Sequence, residues 1–280
     1  MKVAITGASG FLGRRLTAHL QVHRHAVCAV STRTPPMPEA FVGCDAVVHL
    51  AGETVAQRWT RDVRQRIVSS RVEGTRAVIE SFRANPPKVL VCASAVGYYG
   101  ARGDEPLDES AAPGSGFLAE VAQAWEKEAV AAETLGVRVV RLRTGVALGP
   151  EGGALKEMLL PFRLGLGGPI AGGRHWMPWI HADDVIALVE FALETPTFAG
   201  PMNAAAPNPV TNSEFTSELG RSLHRPAFLP VPAFALQLLF GEMSQILMES
   251  QRVIPRASLD AGFVFRFPEL RGALTDLLSK

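Results

Sequence analysis

The segment between residues 6 and 13 constrains the fold more than any other part of the chain. It has the sequence Thr-Gly-Ala-Ser-Gly-Phe-Leu-Gly and follows directly on the short apolar run Val3–Thr6. Beyond it, Leu12, Leu16 and Leu20 recur at a spacing of four, which puts them on one face of a helix. The order of elements is therefore strand, glycine-rich turn and helix, as in the first unit of a nucleotide-binding βαβ fold.

The three glycines of this turn stand at intervals of three, and each has a physical purpose in such a unit. The first permits a tight turn, the second lets backbone N–H groups approach a pyrophosphate, and the third allows the helix to pack closely on the strand. Phosphates also favour the positive end of a helix. We therefore predict a dinucleotide site, and its expected residues in this segment are Gly7, Ser9, Gly10, Phe11, Leu12 and Gly13.

Further apolar runs of strand length follow through the first half of the chain, at residues 26–30, 46–50, 89–93 and 137–142. They alternate with amphipathic stretches of helix length, including one from about 116 to 135 that ends at a glycine. Continuous apolar strands are typical of a parallel sheet that is covered by helices on both faces. This pattern predicts an α/β protein with a doubly wound parallel sheet of the Rossmann type.

The second half of the chain is richer in glycine and proline and predicts a smaller lobe. We assign residues 1–160 to the dinucleotide-binding Rossmann domain, with elements that return to it from about 180–206. Residues 161–280 would form a small C-terminal substrate lobe. A dinucleotide fold with such a lobe holds its substrate in the cleft between the two.

The end of the second strand indicates which dinucleotide is bound. An acidic side chain at this point accepts a hydrogen bond from the ribose 2′-hydroxyl of NAD, whereas this chain has Ser31, Thr32 and Arg33. Without a carboxylate, and with a guanidinium and two hydroxyls, the segment favours the 2′-phosphate of NADP(H). At the end of the third strand, the small residues of Leu-Ala-Gly-Glu at 50–53 let adenine and ribose lie against the backbone.

Several longer motifs carry a resemblance to a known family. They include Ser-Ala-Val-Gly-Tyr-Tyr-Gly at 94–100, Arg-Thr-Gly at 143–145 and Trp-Ile-His at 179–181. With the turn at 6–13, these motifs resemble the epimerase-like family of atypical, extended short-chain dehydrogenases/reductases. The tail from about 230–278 resembles the C-terminal module of that same family, so the resemblance extends over essentially the whole chain.

The resemblance implies NADP(H) binding through Ser9 to Leu12 and through Ser31, Arg33, Leu50, Ala51 and Arg71. We also place Gly52, Glu53 and Thr144 in the predicted site. It further implies the family label of nucleotide-sugar epimerase and, from some relatives, a link to cell or plastid division. One departure is His49, where the family often has Asn.

The acid-base pair that short-chain dehydrogenases normally use is missing. These enzymes carry a Tyr with a Lys four residues later on a helix, so that the ammonium lowers the pKa of the phenol. The chain has two tyrosines, Tyr98 and Tyr99, and the residues four positions later are Arg102 and Gly103. In the helix where this pair is expected, the position of the Tyr is taken by Phe117 or Leu118. The position of the Lys is taken by Val121 or Ala122.

Three residues remain as candidates for catalysis, each with a structural alternative. Ser94 stands near the usual serine position, although an alignment shifted by one residue puts Ala95 there, and a serine at a strand end is often structural. Tyr98 or Tyr99 could donate a hydrogen bond to a substrate oxygen, but a phenol with a pKa of about 10 is a poor base. His181 precedes a helix and either supports the junction of the lobes or acts as substrate contact or proton donor.

Composition excludes several other classes of function. The chain has 28 basic and 27 acidic residues and a net charge of +1, which gives no electrostatic basis for binding nucleic acid or an anionic membrane. Its three cysteines lack metal-ligand spacing, and no metal is expected. The start of the chain lacks the apolar core of a secretory signal, which predicts a cytoplasmic protein. For the oligomeric state we expect either a monomer or a homodimer.

Three functions follow from these observations. The first is an NADP(H)-dependent oxidoreductase with an unusual active site and a small-molecule substrate. The second is a catalytically silent NADP(H)-binding regulator, which the missing Tyr/Lys pair favours. The third is a nucleotide-sugar epimerase, which needs a base on each face of the sugar or an oxidation step.

Overall fold

Strands and helices alternate along residues 1–279, which are the residues that the structure, a computed structural model, describes. The strands are β1 (Lys2–Thr6), β2 (Ala26–Val30), β3 (Ala46–His49), β4 (Val89–Ala95), β5 (Pro106–Leu107), β6 (Arg138–Thr144), β7 (Val146–Gly149), β8 (Trp176–Met177), β9 (Trp179–His181), β10 (Gly200–Ala204), β11 (Val210–Thr211) and β12 (Arg252–Val253). The helices are α1 (Phe11–Val22), α2 (Arg61–Ser81), α3 (Phe117–Val130), α4 (Gly153–Arg163), α5 (Ala182–Glu194), α6 (Asn212–Ser222), α7 (Ala233–Phe240), α8 (Arg256–Asp260) and α9 (Leu270–Leu278).

Six of the strands form one parallel sheet in the order β2-β1-β3-β4-β6-β10. The predicted α/β class with a parallel Rossmann-type sheet is thus confirmed. From β1 the chain winds outward to β2 on one side and, through β3, to the remaining strands on the other. Such a reversal opens a crevice at the carboxyl ends of β1 and β3, where doubly wound proteins bind their ligands.

Both faces of the sheet are covered, which explains why most residues of its central strands β1, β3 and β4 are apolar. Val3 and Ile5 of β1 pack with helices α1 and α5, whereas Ala4 between them faces the opposite core with α2 and α3. Successive residues of a strand point to opposite faces, so each strand supplies both cores. Burial of apolar surface on the two sides contributes most of the stability of such a fold.

Two strands extend beyond the ends that the apolar pattern predicts, because a polar residue interrupts that pattern before each strand ends. β4 extends to Ala95 and β6 to Thr144, so that Ser94 pairs in register with Arg143. The apolar pattern stops where the carboxyl edge of the sheet begins, and the sequence motifs at 94–100 and 143–145 therefore start within strands. The predicted helix at 116–135 is α3, which gives way after Val130 to a 3₁₀ helix, Ala131–Leu135.

A separate core forms among the elements that follow β6. Trp179 of β9 is fully buried there with side chains from α4, α6 and α9. Between these elements the chain returns to the main sheet, because α5 packs against it and β10 pairs with β6. Across residues 1–279, no helix combines the length and the apolar character that crossing a bilayer requires.

Candidate functional site

The glycine-rich turn after β1 has the geometry that the sequence predicts for a dinucleotide site. Gly7 has a φ of 72°, and a Cβ at this position would lie 2.8 Å from the backbone nitrogen of Ala51 in the loop after β3. A Cβ at Gly13 would lie 2.1 Å from the carbonyl oxygen of Gly7. The two loops that border the crevice therefore touch, and helix α1 packs directly on the turn.

The first turn of α1 is open to an anion. The helix begins at Phe11 after Gly10, with no side chain capping it and no acidic residue in its first turn. The Phe11 ring is turned toward the connection between β7 and α4, where a Cβ at Gly149 would lie 2.4 Å from a ring atom. Because no side chain caps the helix, Phe11 and Leu12 offer their backbone N–H groups. A helix start of this kind suits a phosphate.

The segment after β2 presents polar side chains to solvent. Ser31 and Arg33 are both exposed, and the Ser31 hydroxyl accepts a hydrogen bond from the backbone N–H of Arg33 at 3.3 Å. This short turn holds the two residues beside the carboxyl end of β2, on the same edge of the sheet as Gly7. It contains no carboxylate, so nothing in it repels a phosphate.

Arg71 lies under the loop at 50–53 and supports its shape. One guanidinium nitrogen donates to the Glu53 carbonyl oxygen at 2.9 Å, and the guanidinium carbon would lie 3.4 Å from a Cβ at Gly52. The backbone N–H of Glu53 donates to the Ser70 hydroxyl at 3.0 Å. Burial lowers the pKa of Arg71 to about 10, which leaves it protonated at neutral pH. The loop therefore rests on a partly buried positive charge.

His49 links three elements beneath the turn. Its Nδ1 lies 2.6 Å from the Thr6 hydroxyl at the end of β1, and its Nε2 lies 3.0 Å from the Thr75 hydroxyl of α2. The side chain is completely buried, and burial lowers the pKa of His49 to about 4. The imidazole is therefore neutral at physiological pH and acts as a hydrogen-bonded bridge between strand and helix.

Replacing His49 with Asn is expected to weaken the dependence of stability on pH in mild acid. Between pH 6.5 and about 4 the unfolded chain protonates His49 and the folded chain does not, so the free energy of unfolding falls as the pH falls. At about pH 5 this loss amounts to about 2 kcal/mol. Urea unfolding at neutral pH and near pH 5 should show a smaller difference for His49→Asn than for the unmodified chain.

The matched control is His224→Asn, which removes an exposed histidine. His224 has a φ of 53°, a conformation that Asn tolerates. The control should keep the full difference between the two pH values. An unchanged difference in His49→Asn would mean that His49 is not the group that resists protonation.

A buried polar cluster lies at the carboxyl ends of β4 and β6. The Arg143 guanidinium donates two hydrogen bonds to the Glu126 carboxylate of α3, at 2.7 and 2.9 Å, and a third to the Tyr99 hydroxyl at 2.9 Å. The Ser94 hydroxyl donates to the same carboxylate at 2.7 Å, and Tyr99 donates to the Asn203 side chain at 2.7 Å. Arg143 is 2% and Glu126 4% exposed, so this is a charge pair shielded from water.

The surroundings of Arg143 and Tyr99 raise the pKa of both side chains. Burial alone would lower the pKa of Arg143, but the hydrogen bonds and the charge of Glu126 outweigh this effect and raise it. Burial raises the pKa of Tyr99 to about 12 in spite of the neighbouring guanidinium. Tyr99 therefore stays protonated at neutral pH and cannot serve as a base there.

The structure brings two of the three predicted catalytic residues together. Ser94 belongs to the buried cluster and is 4% exposed. Tyr98, which is half-buried, lies with its ring centroid 3.6 Å from the guanidinium carbon of Arg143. The hydroxyl of Ser94 is thus directed at Glu126, and the ring of Tyr98 stacks on the cation that pairs with Glu126.

His181 occupies a different place. Its Nδ1 accepts a hydrogen bond from the backbone N–H of Asp183 and so caps α5, and its ring stacks on Phe267 with the centroids 3.9 Å apart. The side chain has no exposed surface, and burial lowers its pKa. A substrate contact would require this packing to open, and the present contacts of His181 are those of a residue that supports the surrounding elements.

The helix that should carry the missing Tyr/Lys pair has apolar contacts instead. Phe117, at the start of α3, packs edge to face against Trp59 with the ring centroids 5.1 Å apart, and Arg64 lies over the same ring. Thr144, the remaining predicted cofactor contact, ends β6 opposite Ala95. Its hydroxyl donates to the Leu142 carbonyl oxygen at 3.4 Å.

The buried pair of Glu126 and Arg143 is not among the residues predicted from the sequence, although a signal for Glu126 was present. Ala122, Trp125 and Ala129 are buried residues on one face of α3, and Glu126 occupies the same face. A carboxylate within an apolar helix face is rarely buried unless it is paired. Its partner could not be found in the same way, because the pairing depends on the register between α3 and β6.

Fold and site together define a dinucleotide-binding protein of the Rossmann type. The model of the NAD dependent epimerase/dehydratase family matches residues 3–205, and a model described as a domain of unknown function, DUF1731, matches residues 231–277. The chain therefore belongs to the NAD dependent epimerase/dehydratase family. This confirms the resemblance that the sequence motifs indicate, including that of the C-terminal module.

Individual relatives are similar to the chain over its full length. It is 37% identical to human epimerase family protein SDR39U1, with 100% of both chains covered. It is 38% identical to epimerase family protein YfhF of Bacillus subtilis, covering 100% of this chain and 98% of YfhF. The crystal structure of the human protein with NADPH matches with a TM-score of 0.92 at 36% identity, again over the whole of both chains.

Proposed function

We propose that this protein binds NADP(H) and uses it as an oxidoreductase on a small-molecule substrate. The observation that carries the choice of cofactor is the exposed Ser31 and Arg33 at the carboxyl end of β2, in a turn without a carboxylate. The crystal structure of a human relative at 36% identity contains NADPH, which supports the same choice.

The residues present fit the proposed cofactor. The open first turn of α1 would take the pyrophosphate, and Arg33 with Ser31 would take the 2′-phosphate. The loop at 50–53, supported by Arg71, would lie along the adenosine half. A Cβ at Gly7 or Gly13 would clash with backbone, so the close packing of this crevice depends on glycine. When bound, NADPH supplies a hydride for carbonyl reduction.

The polar cluster would orient the groups that face the substrate. Arg143 is fixed by Glu126 and in turn holds the ring of Tyr98, which retains partial exposure. We assign to Tyr98 the role of donating a hydrogen bond to a substrate oxygen, and to Ser94 a positioning role through Glu126. The residue four positions after Tyr98 is Arg102 and not the lysine of the usual acid-base pair, so Tyr98 is a donor in this proposal and not a base.

A catalytically silent NADP(H)-binding regulator is the second candidate. The specific observation in its favour is that Ser94, Tyr99 and Arg143 use their polar atoms within the buried cluster. Polar groups that are already paired inside the protein are poor partners for a substrate. Nucleotide-sugar epimerisation is the least supported, because the start of α3 offers Phe117 and Leu118 in place of a proton-transferring residue.

The test is a titration followed by a search for turnover. NADPH and NADH are titrated into the protein by fluorescence, and carbonyl compounds and nucleotide sugars are then screened by absorbance of the reduced nicotinamide. We expect tighter binding of NADPH, and turnover that Tyr98→Phe lowers while NADPH affinity stays the same. Tight binding without turnover across the panel would support the silent regulator, and binding of neither nucleotide would overturn the whole assignment.

A further inference from the structure

Three histidines and two glutamates gather at the end of α1 that is remote from the glycine-rich turn. His19 in the last turn of α1 and His23 just after it both face Glu190 of α5. The His19 Nε2 lies 2.7 Å from one carboxylate oxygen of Glu190, and the His23 Nδ1 contacts the other oxygen. One ligand atom from each of these three residues lies within 4.8 Å of the other two.

We propose that His19, His23 and Glu190 form a binding site for a divalent transition metal, with zinc as the fitting ion. Histidines at positions i and i+4 project from one face of a helix and can share a metal, and a carboxylate from a second element completes a frequent zinc ligand set. A solvent molecule would occupy the fourth position, since His19 and His23 are 30% and 46% exposed at their side chains.

The arrangement of the cluster favours a cation. The two imidazole rings lie with their centroids only 4.1 Å apart, and both face the carboxylate of Glu190. One metal ion can satisfy both imidazoles and the carboxylate at once.

Further side chains strengthen this choice of site. His25 is 8% exposed at its side chain, and its Nε2 lies 3.5 Å from a carboxylate oxygen of Glu194. His25, Glu190 and Glu194 also have ligand atoms within 4.8 Å of one another. Glu190 is thus common to two groups of potential ligands, and Glu194 adds a second negative charge next to the proposed ion.

The proposed metal would tie α1 to α5. Helix α1 has 12 residues, so its two ends are about 18 Å apart. The ion would lie at the end opposite the glycine-rich turn and therefore far from the proposed cofactor phosphates. Nearer the start of the same helix pair, Arg15 of α1 already binds Asp183 in the first turn of α5. The metal would therefore act as a second link on the helix that carries the anion-binding turn, and its role would be structural.

No metal is predicted from the sequence, because no His/Cys/Asp cluster with metal-ligand spacing is evident along it. The site proposed here depends on the fold, since only two of its ligands, His19 and His23, share one helix, α1. The carboxylate comes from Glu190, which lies 171 residues from His19 in the chain. Only the packing of α5 on α1 brings the third ligand into place.

Zinc titration into the metal-free, untagged protein tests this inference without any measurement of turnover. Calorimetry at slightly alkaline pH, where histidine is neutral, should show one zinc ion bound per chain and a rise in melting temperature. His19→Gln and Glu190→Gln should each weaken zinc binding on the order of a hundredfold. The Glu190→Gln variant retains the shape of the side chain and so separates loss of a ligand from loss of the fold.

His224→Asn serves as the matched control, because it removes an exposed histidine outside the cluster and should leave zinc affinity unchanged. Circular dichroism establishes that each variant is folded before titration, and His23→Gln provides a further ligand variant at a more exposed position. Zinc affinity that is the same in all variants, or no binding by the unmodified chain, would overturn the inference. Neither result would bear on NADP(H) binding.

Discussion

Replacing Glu126 with Leu is expected to lower the free energy of unfolding by about 3–5 kcal/mol. The change leaves Arg143, which is 2% exposed, as a buried cation without the carboxylate that receives two of its hydrogen bonds. The Ser94 hydroxyl loses the same acceptor, and Arg141 loses a partner whose oxygen lies 3.3 Å from its guanidinium. Urea unfolding monitored by circular dichroism measures the loss.

Two further variants separate this effect from a general sensitivity to mutation. The double variant Glu126→Leu, Arg143→Met removes both charges and should recover a large part of the loss, because the cost of a buried unpaired charge disappears. Arg83→Ala breaks an ion pair with Glu80 in which both side chains are more than half exposed, and it should change the free energy of unfolding very little. A loss in Glu126→Leu as small as in Arg83→Ala would contradict the description of a shielded charge pair.

The fold was predictable because its signals are local. A strand buried on both faces must be apolar along its length, so β1 and β3 can be located from their apolar runs alone. The glycine-rich turn is equally local, since the clash that a Cβ at Gly13 would cause is with Gly7. These requirements act within a few residues and are visible in one sequence.

The parts that were missed depend on tertiary contacts. Ser94 and Arg143, near the ends of β4 and β6, face the buried carboxylate of Glu126, so the apolar pattern gives no sign that they are strand residues. The partnership of Arg143 with Glu126 requires a helix and a strand to pack in one register. His181 was ambiguous for the same reason, since its burial comes from Phe267, far along the chain.

Replacing Arg33 with Ala is expected to weaken the binding of NADPH on the order of 10- to 100-fold and to leave the binding of NADH nearly unchanged. The reason is that the two nucleotides differ at the 2′-phosphate, and Arg33 is the cation that the segment after β2 exposes there. A charge-assisted hydrogen bond to a dianion contributes more than one between neutral groups. Fluorescence titration with both nucleotides gives the ratio of affinities directly.

A change of sign at the same position sharpens the test. Arg33→Asp puts a carboxylate beside the 2′ position, where it repels a phosphate and can accept a hydrogen bond from a free 2′-hydroxyl, so it should reverse the preference toward NADH. The control Arg83→Ala removes an exposed arginine that follows α2 and pairs with Glu80, and it should preserve the ratio. Equal weakening of both nucleotides in Arg33→Ala would show that Arg33 supports the turn generally, and the assignment of the 2′-phosphate site would fail.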